Sequence, residues 1–408
     1  MTRKPSYRFA GYIEPWEEKK LGEIVERITR KNKNLESDLP LTISAQYGLI
    51  DQETFFNKKV ASKDVSGYYL LKKGEFAYNK SYSSDYPWGA VKRLDNYEMG
   101  VLSTLYIVFR PNSIDSDFLA VYYDSPKWYK EVSMRAAEGA RNHGLLNISP
   151  QDFFDTELIF PVNQSEQIAI GSFFQDIDKL ISLQQRKLEV LKEQKKTYLK
   201  LLFPVKGQTK PALRFAGFED EWKEVKLGEV FEFSKGKGLP MDSFYEGEDN
   251  LAIGYGHLYT LYDEVITKVQ RSSDSECSMY SNGNELLFPA SSTVPFGTAK
   301  VVALLESGVK LGGDIIVASP DSKKVNNIFM SYNINSIKEK MYPITVGTTI
   351  THMYAKDLKE LRYFLPNLPE QEAIASFFQD IDKAIAKQEE KVNQLKESKQ
   401  TLLRKMFI

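Results

Sequence analysis

The feature that most constrains this chain is an internal tandem repeat. Residues 8–11, Arg-Phe-Ala-Gly, return at 214–217, and Trp16 returns as Trp222. The segment Ser-Phe-Phe-Gln-Asp-Ile-Asp-Lys at 172–179 returns unchanged at 376–383. Self-similarity at a fixed period indicates that one structural unit has been duplicated. We therefore expect two related halves, each a globular segment followed by a helix.

The similarity between the two halves is uneven. Their leading segments and their helices match closely, whereas residues 25–150 and 231–350 match poorly. One interpretation is a shared scaffold that carries two divergent recognition surfaces, and the other is an old duplication with ordinary loop drift. The near-identical helices favour the first, because the two copies have not diverged uniformly.

Each half ends in a heptad pattern. Apolar residues spaced alternately four and three apart are typical of a coiled-coil seam. A glutamine and a lysine interrupt both seams at equivalent places, and polar residues there fix register and orientation. The seam positions are Ile170, Phe174, Ile177, Ile181, Gln184, Leu188, Leu191, Lys195, Tyr198 and Leu202, and then Ile374, Phe378, Ile381, Ile385, Gln388, Val392, Leu395, Lys399, Leu402 and Met406.

The length and partners of these helices can also be predicted. About 38 residues at 1.5 Å each make a rod of roughly 55–60 Å. Asn163 with Glu166, and Asn367 with Glu370, have the spacing of a capping box at the helix starts. The first helix is expected to stop at residues 203–204, Phe-Pro. We expect the two helices to pair antiparallel with each other, although pairing of each with another chain stays open.

The globular segments are predicted to be mixed and mainly β. Strand-like runs lie at 101–110 and 314–318, and short helices at 117–123 and 328–337. The fold class is therefore α+β: two mixed, mainly β domains plus two long helices that form an antiparallel coiled coil, in a pseudo-twofold tandem duplication. The predicted boundaries are 1–160 and 206–364 for the globular domains, and 161–205 and 365–408 for the helices.

A hydroxyl-rich loop recurs in both halves. It follows a strand-like run and leaves through Pro-aromatic-Gly to a lysine, at 87–92 and at 295–300. Hydroxyl, amide and amino groups at loop tips can hydrogen-bond base edges and phosphates. The alternative is a turn stabilised by its own Ser and Thr side chains. The candidate DNA-binding residues are Lys80, Ser81, Tyr82, Ser83 and Lys92 in the first half, and Ser291, Ser292, Thr293 and Lys300 in the second.

A second candidate loop precedes each helix. In the first half it holds Arg141, Asn142 and His143, and in the second Thr348 and Thr349. An arginine suits a guanine or a phosphate, and an asparagine suits an adenine. The alternative is an ordinary connecting loop.

The sequence offers no catalytic constellation. Its three histidines are far apart, Cys277 is the single cysteine, and neither a phosphate-binding loop nor a Pro-Pro dipeptide occurs. We expect no metal or cofactor of its own, no membrane span, no secretory signal and a cytoplasmic location. The formal net charge of −1 argues mildly against a nucleic-acid binder, but charge can be arranged in patches.

Taken in order, the motifs resemble the specificity subunit of type I restriction-modification systems over essentially the whole chain. The carriers are Trp16, Leu21, Gly22, Glu23, Pro161, Glu166 and Gln167, with their counterparts Trp222, Leu227, Gly228, Glu229, Pro366, Glu370 and Gln371. The first helix departs from the pattern, since it lacks the proline that stands at Pro369 in the second. We expect this to shift the helix start slightly.

This resemblance implies a function. Each globular segment would be a target-recognition domain that reads one half of a split site in double-stranded DNA, and the paired helices would set the gap. Two modification (methyltransferase) subunits and the restriction (endonuclease/translocase) subunits would be partners, and S-adenosylmethionine, ATP and Mg would be bound by them. The chain itself would be non-catalytic. The alternative is a coiled-coil scaffold or adaptor that binds protein and not DNA.

Overall fold

The computed structural model describes residues 4–44, 47–58, 60–83, 86–136, 145–205, 207–294 and 296–408. The chain forms two compact units: residues 1–186 with 389–408 make the first unit, and residues 187–388 make the second. Each unit therefore combines one globular segment with the beginning of one long helix and the end of the other.

The first unit is built on a four-stranded antiparallel sheet. Its strands are β1 Glu17–Lys20, β2 Val25–Ile28, β3 Leu41–Ser44, β4 Gly48–Asp51, β5 Tyr69–Lys72, β6 Phe76–Asn79, β7 Ala90–Arg93, β8 Met99–Leu102, β9 Ile107–Pro111 and β10 Glu157–Phe160. The main sheet has the order β2-β9-β6-β7. Two antiparallel pairs, the hairpin β3-β4 and the longer-range pair β5-β8, lie outside it, and β1 pairs with β10 where the globular segment begins and ends.

One predicted strand is wrong in its extent. The expected run at 101–110 is two strands, because β8 ends at Leu102 and β9 begins at Ile107. Between them the amide of Tyr106 donates to the carbonyl of Ser103 in a turn. The hydroxyl residues at 103–104 interrupt the apolar run, and such residues favour turns by hydrogen-bonding the backbone locally.

Short helices complete the first unit: α1 Leu21–Ile24, α2 Gln52–Phe56, α3 Ser116–Asp124, α4 Tyr129–Arg135 and α5 Pro150–Phe154. The helix predicted at 117–123 is confirmed as α3. The carboxylate of Asp115 caps it by accepting the amides of Asp117 and Phe118. Phe118 is fully buried and lies 5.5 Å from the ring of Phe407, so α3 packs against the end of the second long helix.

The second unit keeps the same framework and adds to it. Its strands are β11 Lys223–Lys226, β12 Phe231–Lys235, β13 Ala252–Ile253, β14 Val265–Ile266, β15 Tyr280–Asn282, β16 Glu285–Pro289, β17 Ser291–Ser292, β18 Val302–Leu304, β19 Ser307–Leu311, β20 Ile315–Pro320, β21 Thr351–His352 and β22 Arg362–Leu365. Its helices are α7 Leu227–Val230, α8 His257–Thr260, α9 Asn327–Ser336 and α10 Ala355–Glu360, with 3₁₀ turns at Met241–Ser243 and Lys338–Ile344.

The two sheets correspond strand by strand. The order β12-β20-β16-β18 repeats β2-β9-β6-β7, and β11 pairs with β22 as β1 pairs with β10. The second unit adds β14 as a fifth, parallel strand beside β18, and a separate sheet β13-β19-β15. The poorly matching middle segments of the sequence thus share one four-stranded framework, and the expected strand and helix at 314–318 and 328–337 are confirmed as β20 and α9.

The two long helices are α6 Gln164–Leu201 and α11 Leu368–Met406. Every predicted seam position is buried or half-buried, while most other positions along both helices are exposed. In the first unit Lys399 contacts Asp178 and Phe407 lies 6.2 Å from Phe174. Along the contact, residue numbers increase on α11 while they decrease on α6, so the two helices run antiparallel in this unit.

The same pattern holds in the second unit. Lys195 contacts Asp382, and the ring of Tyr198 lies 5.0 Å from that of Phe377. The heptad seam thus produces antiparallel pairing in each unit, as the sequence predicted.

The helix starts only partly follow the expected capping box. The side chain of Asn163 accepts the amide of Ser165, and that of Asn367 accepts the amide of Glu370, so both asparagines act as caps. The carboxylates of Glu166 and Glu370 do not return to the cap. Each is instead paired with an arginine from the leading segment of its own half.

Candidate nucleic-acid interface

In the second unit the two candidate loops are neighbours. Strand β17 pairs with β21 so that Ser291 lies opposite His352 and Ser292 opposite Thr351. Residues separated by some 60 positions in sequence are therefore brought together just beyond the end of β16. We refer to residues 291–300 and 345–352 as the second loop pair.

The two predicted serines of this pair support the loop from within. Ser291 and Ser292 are buried. The hydroxyl of Ser291 donates to the carboxylate of Asp314 at 3.1 Å, and that of Ser292 bonds the backbone of Val294. A Cβ atom at Gly297 would lie 2.1 Å from the Ser292 hydroxyl, so this turn requires glycine. The expectation that these serines touch DNA stays untested, and the hydroxyls they would use are engaged within the protein.

The second loop of the pair is a tight turn closed by two backbone hydrogen bonds between Val346 and His352. Gly347 has a φ of +112°, and a Cβ there would lie 2.1 Å from the carbonyl oxygen of Ile350. This geometry places Thr348 and Thr349 on the exposed tip. No hydrogen bond engages either hydroxyl within the described residues.

The loop pair encloses a shallow cavity of about 250 Å³, which we name the threonine cup. Among the described residues, none that lines it has a charged side chain. Its lining is Thr293, Val294, Phe296, Tyr342, Thr345, Gly347, Thr348, Thr349 and Thr351. Hydroxyl groups, methyl groups and two aromatic rings are thus the chemistry that this surface offers a ligand.

Phe296 is the most exposed ring of the cup. It is 56% exposed, and its ring packs against that of Tyr342 with centroids 4.4 Å apart and the planes tilted by 33°. Its φ of +58° is a left-handed conformation that bulky residues rarely adopt. The sequence indicates Phe296 only as part of the Pro-aromatic-Gly motif and gives no indication of Tyr342. The contact between them depends on tertiary structure, and no local pattern could have shown it.

The first unit repeats the arrangement of loops. Ser81 forms a β-bridge with Leu145, and the amide of Leu146 donates to the carbonyl of Lys80 at 2.9 Å. The loop after β6 therefore touches the segment that follows the second candidate loop, as in the second unit. The predicted residues Arg141, Asn142 and His143 lie outside the described residues.

The first loop of this pair also depends on a glycine. Gly89 has a φ of +79°, and a Cβ there would lie 2.2 Å from the carbonyl oxygen of Asn79. The hydroxyl of Tyr78 donates to the carbonyl of Trp88 and holds the returning arm.

Above this base the loop presents its polar groups. Ser81 and Ser83 are exposed on it, and Tyr82 is half-buried against the core. The ammonium group of Lys80 reaches the carbonyl of Ile148 at 3.5 Å.

The two predicted lysines at the ends of these loops are not equivalent. Lys92 lies opposite Ala77 in the β6-β7 ladder, whereas the corresponding position in the second unit is Val302. The ammonium group of Lys92 pairs with Asp124 at 2.6 Å. Burial lowers the pKa of Lys300, and the nearby carboxylate of Glu264 offsets this only in part. Both lysines thus lie within charge clusters below the loops.

Those clusters contain the lysines of the helix seams. In the first unit Lys399 of α11 contacts Asp178 of α6 at 2.6 Å and Asp124 of α3 at 3.2 Å. Burial alone would lower the pKa of Lys399, but the two carboxylates outweigh it and raise the pKa. The seam lysine therefore ties the helix pair to the globular segment.

The second unit makes the same junction with a different acid. Lys195 of α6 contacts Asp382 of α11 at 2.8 Å and Glu264 at 2.6 Å. Glu264 immediately precedes β14, a strand that the first unit does not have in its described sheet. Burial alone would raise the pKa of Glu264, but the ammonium groups of Lys195 and Lys300 lower it. Each globular segment is thus joined to the helix of the other half.

The repeated leading segments clamp the helix starts. Arg8 forms two hydrogen bonds, at 2.6 and 2.7 Å, to the fully buried carboxylate of Glu166, and Arg214 does the same with Glu370 at 2.8 and 2.6 Å. Such bidentate, charge-assisted pairs are strong and directional. They explain why the Arg-Phe-Ala-Gly motif and the glutamates recur together.

The glutamines beside those glutamates join helix to domain. The side-chain oxygen of Gln167 accepts the amide of Asp115, and that of Gln371 accepts the amide of Asn326. Both acceptors therefore hold the start of the equivalent helices, α3 and α9. The Glu-Gln motif thus fixes the orientation of each sheet-and-loop unit on its own helix.

Within the described part of the chain, no group of three or more His, Cys, Asp or Glu side chains is placed to hold a metal ion. Among the same residues, no helix combines the length and the apolar character needed to cross a membrane.

The chain has a duplicated sheet, and in each copy the loop after the equivalent strand contacts the segment at or just after the second candidate loop. Each copy is fixed to paired helices. Such a fold defines a recognition protein with two related domains. Residues 13–193 and 219–397 each match the sequence model of the type I restriction modification DNA specificity domain. The chain belongs to this family and carries its domain twice.

Individual relatives agree with the family. The chain is 22% identical over 326 residues to the type I restriction enzyme MjaVIII specificity subunit of Methanocaldococcus jannaschii, which covers 74% of this chain and 72% of that protein. It is 24% identical over 261 residues to a protein of the same organism named as the MjaX specificity subunit, which covers 60% of this chain but only 56% of that protein.

Solved structures show the same fold. The type I restriction-modification S subunit from M. genitalium matches with a TM-score of 0.60 at 15% identity, and the match covers 99% of both chains. A chain from a structural study of complex assembly and conformational transition in a type I restriction-modification system matches with a TM-score of 0.56 at 18% identity, covering 97% of this chain and 99% of that one.

Proposed function

We propose that this chain is the non-catalytic specificity subunit of a type I restriction-modification complex and reads a bipartite site in double-stranded DNA. The observation that carries the proposal is the repeat of the loop pair. Each specificity domain has the same sheet, and in each the loop after the equivalent strand, β6 or β16, contacts the segment at or just after the second candidate loop. One loop pair per half-site is the simplest use of this arrangement.

The loop tips offer the groups that base reading needs. Sequence is read by hydrogen bonds and apolar contacts to base edges in the grooves. Ser81 and Ser83 are exposed in the first unit, as are Thr293, Thr348 and Thr349 in the second. Together with Lys80, and with Arg141, Asn142 and His143 of the neighbouring loop, these are the residues we propose to touch DNA. Tyr82, Lys92, Ser291, Ser292 and Lys300 would support them from below.

The helices would serve as spacer and docking platform. Their antiparallel seam gives two related faces, which suits two modification subunits, and restriction subunits would join the same complex. S-adenosylmethionine, ATP and Mg would be bound by those partners, and an adenine would be flipped into a modification subunit for methylation. With a net charge of −1, this chain would leave much of the phosphate contact to them. One cysteine in the chain suits a cytoplasmic complex.

The test is to express this chain with the methyltransferase encoded beside it and to map methylated adenines across the host genome by single-molecule sequencing. We expect a split motif that disappears when this chain is deleted. Methylation that is absent with all subunits present, or that is unchanged without this chain, would refute the reader role and favour a protein-binding scaffold.

A further inference from the structure

The threonine cup of the second unit is unusual for a surface that meets nucleic acid, since none of the described residues in its wall has a charged side chain. Phosphate contacts are made mainly by lysine and arginine, and guanine is read mainly by the same two residues. The cup is therefore not suited to either ligand. Its hydroxyl, methyl and aromatic groups suit a neutral ligand that has an apolar part.

The threonine hydroxyl groups of the cup divide into two sets. Those of Thr345 and Thr351 donate to the backbone carbonyls of Met341 and Ser292, at 3.1 and 3.3 Å. With these hydroxyls engaged, the two residues offer a ligand their methyl groups. Thr293, Thr348 and Thr349 lie at the rim with exposed side chains, and within the described residues their hydroxyls have no hydrogen-bond partner. The floor is thus apolar and the rim can donate.

Apolar side chains extend the cup outward. Val294, Phe296, Val346 and Ile350 are each about half exposed, at 48%, 56%, 58% and 48%. Large apolar groups gathered on a surface mark an interaction site. Phe296 is held at its positive φ while its ring packs against Tyr342, and a strained backbone retained at a loop tip points to a use for the side chain.

Only one base presents the matching edge in the major groove. Thymine shows a C5-methyl group beside an O4 acceptor, whereas cytosine shows a donor and no methyl group, and guanine shows two acceptors. Methyl groups of threonine and the ring of phenylalanine are suitable contacts for the thymine methyl. The rim hydroxyls can donate to O4.

From this match we infer that the threonine cup reads a thymine in the second half-site, with the C5-methyl group against Phe296 and the threonine methyls. The inference rests on the proposed function, and it assigns to the second unit a specificity determinant whose threonines have no counterpart in the described part of the first unit's loop after β6. The equivalent loop of the first unit contains Lys80 and serines in place of threonines. The two half-sites should therefore differ in their dependence on thymine methyl groups.

The experiment uses the complete methyltransferase complex and synthetic duplexes that contain its recognised site. Each thymine of both half-sites is replaced in turn by deoxyuridine, which removes only the C5-methyl group, and the Kd is measured by competition. Burial of one methyl group predicts a loss of roughly fourfold. We expect this loss at one thymine of the half-site that the second unit reads.

Two variants connect the effect to the cup. Phe296→Asn removes the ring and places at this position a residue that accepts positive φ, and Thr349→Ser removes one methyl group but keeps the hydroxyl. In the Phe296→Asn variant, the affinities for the thymine duplex and the deoxyuridine duplex should become equal. Tyr280→Asn, which removes another half-exposed ring of the second unit that does not line the cup, is the matched control and should keep the fourfold ratio. Unchanged melting temperatures would show that the loops still fold.

Two results would overturn the inference. One is equal affinity for thymine and uracil at every position, and the other is a ratio that survives Phe296→Asn. Either could occur while the complex still recognises a split site, in which case the proposed function stands without the cup. A complex that recognises no split site would overturn both.

Discussion

The seam lysines allow a quantitative prediction. The two units make the same junction between helix and globular segment, but they differ in the cations that remain beside the carboxylates when the lysine is removed. Lys195→Met removes the ammonium group that contacts Glu264 and Asp382. Lys399→Met removes the one that contacts Asp124 and Asp178. In both cases a carboxylate of the globular segment loses a partner, and the question is what remains for it.

The remaining partners differ between the units. Asp124 keeps its pair with Lys92 at 2.6 Å, and Asp178 is half exposed, so water can replace its lost partner. Glu264 is mostly buried, at 17% exposed, and among the described residues its one ion pair is with Lys195, while Lys300 acts on it only from a longer distance. Leaving a buried charge uncompensated costs about 3–5 kcal/mol. We expect Lys195→Met to cost about 3 kcal/mol and Lys399→Met about 1–1.5 kcal/mol.

Hydrogen exchange read by mass spectrometry separates the two units. Amides of α9 report on the second unit and amides of α3 on the first. Since 1.4 kcal/mol is a factor of ten, exchange of α9 should rise roughly a hundredfold in Lys195→Met, and exchange of α3 roughly tenfold in Lys399→Met. Lys200→Met and Lys391→Met, exposed positions on the same helices, are the controls and should change little.

A second substitution tests the cause. Adding Glu264→Gln to Lys195→Met removes the stranded charge, so it should recover about 1 kcal/mol or more. The reasoning would be refuted if Lys399→Met proved as costly as Lys195→Met. It would also be refuted if the double variant were less stable than the single one, because the loss would then come from packing and not from charge.

Three further predictions follow from buried contacts. Arg214→Ala should destabilise the second unit by about 3–4 kcal/mol in urea unfolding. Arg8→Ala should cost the first unit about 1 kcal/mol less, because the indole of Trp16 still donates to the buried carboxylate of Glu166. Equal losses of stability would contradict this. Gly89→Ala should cost about 3 kcal/mol and Gly74→Ala, which has positive φ but open space around it, about 1 kcal/mol; similar melting temperatures for the two would be the contrary result. The pKa of Glu264 is lowered in the folded chain. Its contribution to the stability of the second unit is therefore present above its unfolded pKa of about 4.3 and is lost as the pH falls through the folded-state pKa. In an acid titration of that stability, Glu264→Gln should reduce the loss at low pH, and an unchanged slope would exclude the contribution.

The periodic features of the structure could be predicted from the sequence. A heptad seam depends only on local spacing, so the seam positions on both helices and their lengths followed from the residues. The sequence favoured antiparallel pairing within the chain but left pairing with another chain open, and the contacts between the helices confirm the former. The short helices α3 and α9 were also predictable, because each has a run of apolar residues near a capping residue, Asp115 or Asn326. The repeat itself carried the fold class.

Features that depend on tertiary structure could not be predicted. Tyr342 and Phe296 meet although 45 residues lie between them in the sequence. The motif alignment of Lys92 with Lys300 was shifted by two residues relative to the strand register, because loops of equal motif but different backbone path enter β7 and β18. The acid that pairs with each seam lysine comes from α3 in one unit and from the residue before β14 in the other. A sequence comparison of the halves gives no sign of this exchange.

The central claim is that each repeat reads one half of a split DNA site, and loop variants test it most directly. Lys80 and Ser81 would be replaced by alanine in one strain, and Thr348 and Thr349 in another, and methylated adenines would be mapped across both genomes. The account predicts that the first change relaxes or alters one half of the motif and the second change only the other half, with the gap unchanged. Variants that altered both halves together, or neither half, would contradict it.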